Sequence, residues 1–166
     1  MSISSKLLKK TTEKKADETL QFISFNVGDE IFAIDILKIH EITSYKELTK
    51  VPSLPPFIKG VLNLRGMVVP VMDLREKFGF NAEKYTKFSV IMIIDVAGRI
   101  MGSIVDSVAD VLHINKKDIQ TPPKFGAKVK SEFIRGMLKK NENKFIILLD
   151  MDKILSDEEI DIMDSI

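Results

Sequence analysis

The chain has 166 residues, 45% of them hydrophobic and 30% charged, a balance that supports a buried core and excludes general disorder. It has no cysteine, which excludes a disulfide framework, a thiolate metal site and a cysteine nucleophile, and fits a reducing, cytoplasmic setting. The formal charge of +1 is uneven: residues 1–18 carry +2, residues 150–166 carry −6, and the +5 left on 19–149 falls well short of the concentrated positive field of a dedicated nucleic-acid binder.

Residues 1–18 are polar, without sustained periodicity and without the apolar stretch of about 7–15 residues that a signal peptide needs. They are expected to form a flexible tail. No later apolar run approaches a membrane span, so any membrane association should come through partners. From Leu20 the text changes to short β-branched and aromatic runs separated by turn residues, the pattern of an all-β protein. "LQFISFNV" and "EIFAI" flank Gly28-Asp29 and predict a hairpin. In "ILKIHEI", strand alternation puts Ile39 and Glu41 on one face and His40 on the other. A second hairpin is predicted between "VLNL" and "MVVPVM", with Arg65-Gly66 as its loop. Pro70 cannot donate to a ladder, so its strand should lie at an edge or carry a bulge. "DLREKFG" reads as a short helix capped by Asp73, with Glu76 at the capping-box position and Gly79 as its left-handed stop.

The second half repeats these signals. "AGRIMGSIVD" answers "VGDEIFAID", "FIRGML" answers "FIKGVL", and "FIILLDM" answers "VVPVMDL"; Pro122-Pro123 answers Pro55-Pro56. Two related β lobes are therefore expected, at about 19–84 and 85–149, each a small closed barrel. Residues 150–166 should end in an acidic helix opened by a Ser156–Glu159 capping box and packed through Ile160 and Met163.

Repetition separates scaffold from candidate site. Asp35 and Asp106 occur in both halves, so turn capping explains them better than paired acid–base carboxylates. Gly60 and Gly136 recur too, and point to a bulge or close backbone approach. Arg65 has no counterpart in the second-half loop "KKNEN". A guanidinium held on a rigid hairpin can anchor a partner carboxylate or carbonyl. The two histidines, His40 and His113, sit in no metal-ligand pattern, and no nucleophile elbow or phosphate loop occurs. No catalytic residue, metal or cofactor is expected. Phe125, in a proline-rich loop, is a candidate exposed aromatic. With two Tyr and no Trp, a barrel that stacks nucleobases is disfavoured.

"GDEIFAIDILKIHEI", "FIKGVLNLRGMVVPVMDLREKFG", "VDSVADVL" and "FIILLDMDKIL" resemble the CheW family of bacterial chemotaxis coupling proteins from about Leu20 onward. The resemblance implies two tandem SH3-like five-stranded β barrels with short helices and a C-terminal helix, in a cytoplasmic adaptor joining the tips of methyl-accepting chemoreceptors to the regulatory domain of the histidine kinase CheA. It implies receptor contact through Glu41 and Arg65 and a hydrophobic groove at Ile39, Val90, Gly102, Val108 and Val111. It implies kinase contact through Lys59 and Gly60 and, on the second barrel, through Phe125. Gln120 and Lys124 replace an arginine and an acid that occur beside that aromatic in relatives, which removes the charge pairing of that contact while leaving its apolar part. The alternative is a CheW-like regulatory module of another histidine-kinase pathway.

Overall fold

The computed structural model describes residues 19–121 and 129–166. The predicted β content is present as ten strands in two sheets. Strands β1 (Thr19–Val27) and β2 (Glu30–Asp35) form the first hairpin, and a single turn at Ile36–Lys38 leads into β3 (Ile39–Ser44). Strands β4 (Ile58–Leu64) and β5 (Met67–Asp73) form the second hairpin and run into a short helix, α1 (Leu74–Lys77). The pattern then recurs as β6 (Val90–Val96), β7 (Arg99–Val105), β8 (Ser107–Asn115), β9 (Ile134–Asn141) and β10 (Lys144–Leu149), closed by helix α2 (Asp157–Asp164).

The two lobes do not follow the contiguous halves 19–84 and 85–149. One sheet has the order β8-β1-β2-β10-β9 and the other β3-β6-β7-β5-β4. Each lobe takes its central hairpin from one half and its remaining strands from the other. The orders match position for position: β1–β2 sits in the β1 lobe where β6–β7 sits in the β6 lobe. The parallel pairs β2·β10 and β5·β7 hold the exchanged hairpins in place. Sequence repetition reports equivalence of segments, and equivalent segments have traded lobes.

Both sheets close in the same way. After β3 the chain returns to β4, where Thr49 and Val61 exchange both backbone hydrogen bonds at 2.8 and 3.0 Å; after β8, Gln120 and Met137 do the same at 2.8 and 2.9 Å. The edge strands of each sheet are thereby joined, giving two SH3-like barrels and an all-β fold with short helices. Pro70 lies in an interior strand, against expectation. Its partner Val61 spends both backbone groups on Thr49, and the β5·β7 ladder begins only at Val71, so no ladder bond is asked of Pro70. The bulge falls on the partner strand, between Ile58 and Gly60.

The largest core lies between the lobes: Phe25, Phe32 and Ile34 from the β1 lobe meet Met72, Met92, Ile94 and Met101 from the β6 lobe. Each barrel also has its own smaller interior cluster. Further ties cross between chain halves. Lys38 donates to both carboxylate oxygens of Asp152 at 2.8 Å, and Asp152 accepts from the Ala97 backbone at 2.9 Å. Asp35 caps its turn as expected, accepting from the Leu37 N–H. Asp106 does not cap a turn; it accepts from the Gly28 N–H and from Arg75, tying β1–β2 to α1. Asp73 caps α1, but Glu76 closes no capping box, because the Asp73 N–H already donates to Phe57 and Glu76 turns to Lys59.

Helix α2 starts with the predicted capping box, both reciprocal bonds between Ser156 and Glu159 being made. It is fastened by Arg99 to Asp164 and by Lys77 to both oxygens of Glu159 at 2.8 and 2.9 Å. Lys77 also lies 4.4 Å from the ring of Phe57 and 5.6 Å from that of Phe133, two residues that correspond in the repeat. One mostly buried cation therefore joins both halves and the C-terminal helix. Burial alone would push the Glu159 carboxyl up, but the bonds from Lys77 and Ser156 outweigh it and hold it below its ordinary 4.5. A group so depressed stabilises the fold above its unfolded value and loses that contribution as pH falls through its folded value. Glu159→Gln should therefore cost about 1–2 kcal/mol near neutrality, the range for a charged hydrogen bond in a partly screened site. Urea titrations at several pH values should show the parent–variant difference shrinking to nothing in acid; a difference independent of pH would refute the pairing.

Candidate protein-contact site

Arg65 and Glu41 come together. The β4–β5 hairpin turns through Arg65 at φ 51° and Gly66 at φ 86°, the positive values a two-residue turn matched to strand twist demands. Asn63 stabilises it by accepting from the Gly66 N–H at 2.9 Å. Asn or Gly would suit the first position better than Arg, so the turn tolerates Arg65 without calling for it. The Arg65 side chain is 75% exposed, and its guanidinium donates to Glu41 Oε1 at 3.0 Å. Glu41 is on β3 and Arg65 at the end of β4, the two edges of one sheet. The ion pair thus spans the seam of the β6 lobe, with one guanidinium face left to solvent.

Around this pair the groove candidates separate. Ile39, Val90 and Val108 are half-buried and pack against the interlobe core. Val111 pairs with Ile23 of that core and is 44% exposed. These four mark the margin where the lobes meet. Gly102 does not belong with them: it is buried inside the β6 lobe, where an added Cβ would come within 2.9 Å of Val71 and 3.0 Å of Ile91. Gly102 offers no groove surface.

A bulge also corrects the expected alternation on β3. The register shifts between Ile39 and Glu41, so Ile39 stands opposite Ile94 of the interlobe core, while Glu41 stands opposite Ile93 of the lobe interior. One inserted residue has moved the two to different faces. The same shift brings Ile42, 39% exposed and opposite Met92, onto the interlobe margin. Sequence reasoning missed Ile42 because simple alternation sends it outward with His40; an isoleucine on the polar side of a strand was the available signal.

The candidates on the other side of the lobe differ in kind. Lys59 sits in the β4 bulge and pairs with Glu76 at 2.5 Å. Gly60 is buried at φ 151°, and a Cβ there would collide with the Thr49 carbonyl oxygen in the closing bridge. It contributes closure, with no surface of its own. Gly136 is its equivalent, facing Ile119 and the Gln120 carbonyl. Phe125 and Lys124 lie outside the described residues. Gln120 forms the second closing bridge through its backbone.

Among the described residues no three His, Cys, Asp or Glu side chains converge to hold a metal, and no helix is long and apolar enough to cross a membrane. His40 is exposed, and His113 on the edge strand β8 meets Gln21 on the neighbouring β1 at 3.3 Å.

Two strand-exchanged SH3-like barrels, with a charged pair set across a seam beside an apolar margin, define a small scaffold that presents surfaces to other proteins. The CheW-like domain model matches residues 21–159. The chain is 38% identical over 158 residues to the chemotaxis protein CheW of Klebsiella aerogenes, covering 94% of this chain and 95% of that one. It is 34% identical over 139 residues to CheW of Rhizobium meliloti, covering 84% and 89%. It resembles the crystal structure of the scaffolding protein TtCheW from Thermoanaerobacter tengcongensis with a TM-score of 0.77 and 31% identity, over 84% of this chain and 90% of that chain. The chain belongs to the CheW family.

Proposed function

We propose that this chain is a chemotaxis adaptor that couples the cytoplasmic tips of methyl-accepting chemoreceptors to a CheA-type histidine kinase, working by contact without chemistry of its own. The observation that carries this is the Glu41–Arg65 pair, 3.0 Å apart on the rim, next to the exposed Ile42 on the same strand, with Val111 exposed on the β1 lobe. An amphipathic receptor helix laid along the interlobe margin would bury its apolar face against Ile39, Ile42, Val90, Val108 and Val111, while the charged pair fixes its register. The kinase regulatory domain, itself CheW-like by family resemblance, would meet the bulged end of β4 through Lys59, with Phe125 supplying a second contact. Such head-to-tail contacts close into rings when the rotation permits. The adaptor would be cytoplasmic and reach receptor arrays through these partners.

The test is calorimetric titration of the full chain into the regulatory domain of a CheA-type kinase from the same organism. Saturable one-to-one binding at about micromolar affinity or tighter is expected, within reach of an interface of ordinary size. Absence of heat, with no complex on gel filtration, would move the assignment to another histidine-kinase pathway.

A further inference from the structure

A tight turn at residues 86–89 presents Phe88 to solvent from the β6 lobe. The Ser89 N–H closes it on the Thr86 carbonyl at 3.1 Å, the Thr86 N–H donates to Ser89 Oγ at 2.8 Å, and the Phe88 N–H donates to Thr86 Oγ1 at 3.1 Å. The Ser89 carbonyl then accepts from the Tyr45 N–H at 3.0 Å. With its backbone fixed on both sides, Phe88 is 65% exposed, the most exposed large hydrophobic among the described residues. A lone apolar side chain on a surface is ordinary; an aromatic held rigid on a tied turn is the kind of anchor that binding surfaces use. A cleft of about 570 Å³ lies alongside, and both of its aromatic walls belong to the same local structure. Tyr85 precedes the turn and Tyr45 holds Ser89, and the two rings stack with centroids 4.4 Å apart. Leu48 and Ala82 add apolar surface. Four exposed charges line the cleft, Glu47, Lys50, Glu83 and Lys84, and among the described residues none of the four makes an ion pair.

We propose that the chain pairs with a second copy of itself here, Phe88 of each copy seating in the Tyr45–Tyr85 cleft of the other across a two-fold axis. A knob and a hole side by side on one surface are self-complementary, and a single two-fold axis between them closes both contacts at once. The charges suit the same operation. The rim is balanced and its carboxylates and ammonium groups are unengaged, so Glu of one copy can be set against Lys of the other. Lys87, 5.3 Å from the Phe88 ring, travels with the knob and meets the carboxylates of the opposite rim. An unrelated partner would have to bring a matching knob and a matching charge pattern; a second copy already carries both. Two buried phenylalanines contribute about 150–250 Å² each, well under the roughly 1,200 Å² of stable complexes, so the dimer is weak, with a Kd of about 0.1–1 mM. Lys59 lines the same cleft, so the dimer covers the end of the lobe assigned above to the kinase. That competition, unlike the dimer itself, rests on the adaptor reading.

The test is a dilution series of the full chain spanning that Kd, followed through backbone amide and aromatic ring resonances and by sedimentation. Concentration-dependent shifts at Tyr45, Leu48, Tyr85 and Phe88 are expected, with the apparent mass rising to the dimer and no further. Two variants probe the two halves of the contact. Phe88→Ala removes the knob, and Ala82→Trp fills the cleft while leaving Phe88 in place; both positions are exposed, so both proteins should melt with the parent. Each should weaken self-association about tenfold or more, as loss of a central aromatic contact implies. Resonances that do not move on dilution, growth past the dimer, or association that survives Ala82→Trp would overturn the proposal. A dimer that behaves as expected, with no kinase binding in the calorimetric titration, would stand while the adaptor reading fell; kinase binding with a flat dilution series would do the reverse.

Discussion

Replacing Gly60 with alanine should destabilise the protein by about 3 kcal/mol or more, combining a backbone region that L side chains rarely adopt with overpacking that cannot relax. The glycine stands at φ 151°, and the Cβ would be driven into the Thr49 carbonyl oxygen, part of the bridge that closes the β6 lobe. A side chain could swing aside; this backbone oxygen is held by the Val61 N–H at 2.8 Å. Gly136→Ala, at the equivalent place in the other lobe, should cost less, about 2 kcal/mol, since its first obstacle is the Ile119 Cγ2 methyl, which must shift, rather than a backbone oxygen, and its φ is not in the positive range. Gly66→Ala, with φ 86° and open space around it, should cost about 1 kcal/mol, from backbone preference alone. Urea denaturation of the three variants should rank Gly60 above the others; a Gly60→Ala protein no less stable than Gly66→Ala would show that the seam yields. Against total stabilities of about 5–15 kcal/mol for domains of this kind, Gly60→Ala should remove a large share of the margin that holds the lobe closed. Loss of kinase binding in a Gly60 variant would therefore report lobe closure. Lys59→Ala is the cleaner test of the contact itself.

The seam also shows what the sequence could and could not disclose. The hairpins at Gly28-Asp29 and Arg65-Gly66, the Asp73 cap, the Gly79 stop at φ 79° and the Ser156–Glu159 capping box were legible because each is local, set by a few residues within one turn of chain. The repeated glycines were legible as close approaches, though not what they approach. The exchange of hairpins between lobes was not legible, because a repeat fixes which segments are equivalent and is silent on which copies pair. The parallel β2·β10 and β5·β7 ladders decide that, and they join residues more than a hundred and about thirty positions apart respectively. The β3 bulge was hidden for a related reason: a one-residue slip leaves composition unchanged while moving Ile39 and Glu41 to different faces. Lys77 escaped notice because its partners Phe57, Phe133 and Glu159 lie in three separated stretches. Arg65 was found by its lack of a counterpart, and Glu41 by family resemblance, but nothing local to either residue announced that they meet.

That meeting makes charge exchange the decisive experiment on the candidate site. Arg65→Glu places a second carboxylate beside Glu41, yet the pair is largely exposed on the arginine side. The stability change should stay within about 1 kcal/mol, as for other surface ion pairs. Receptor binding should fall far more, by about 30-fold or beyond, because truncating or reversing a charge that becomes buried in an interface costs about 2–5 kcal/mol. The double variant Glu41→Arg with Arg65→Glu separates two roles that the single variant confounds. It restores an ion pair across the seam, so stability should return to that of the parent. If the pair served only as a brace between β3 and β4, receptor binding would return with it. If Arg65 and Glu41 each face a charge on the receptor helix, the exchange reverses both complementary contacts at once, and binding should remain as weak as in the single variant. Pull-down of the two proteins on receptor-containing vesicles, beside urea denaturation of each, reads both quantities. Recovery of binding in the double variant would leave Arg65 as a structural residue and shift receptor recognition onto the apolar margin alone.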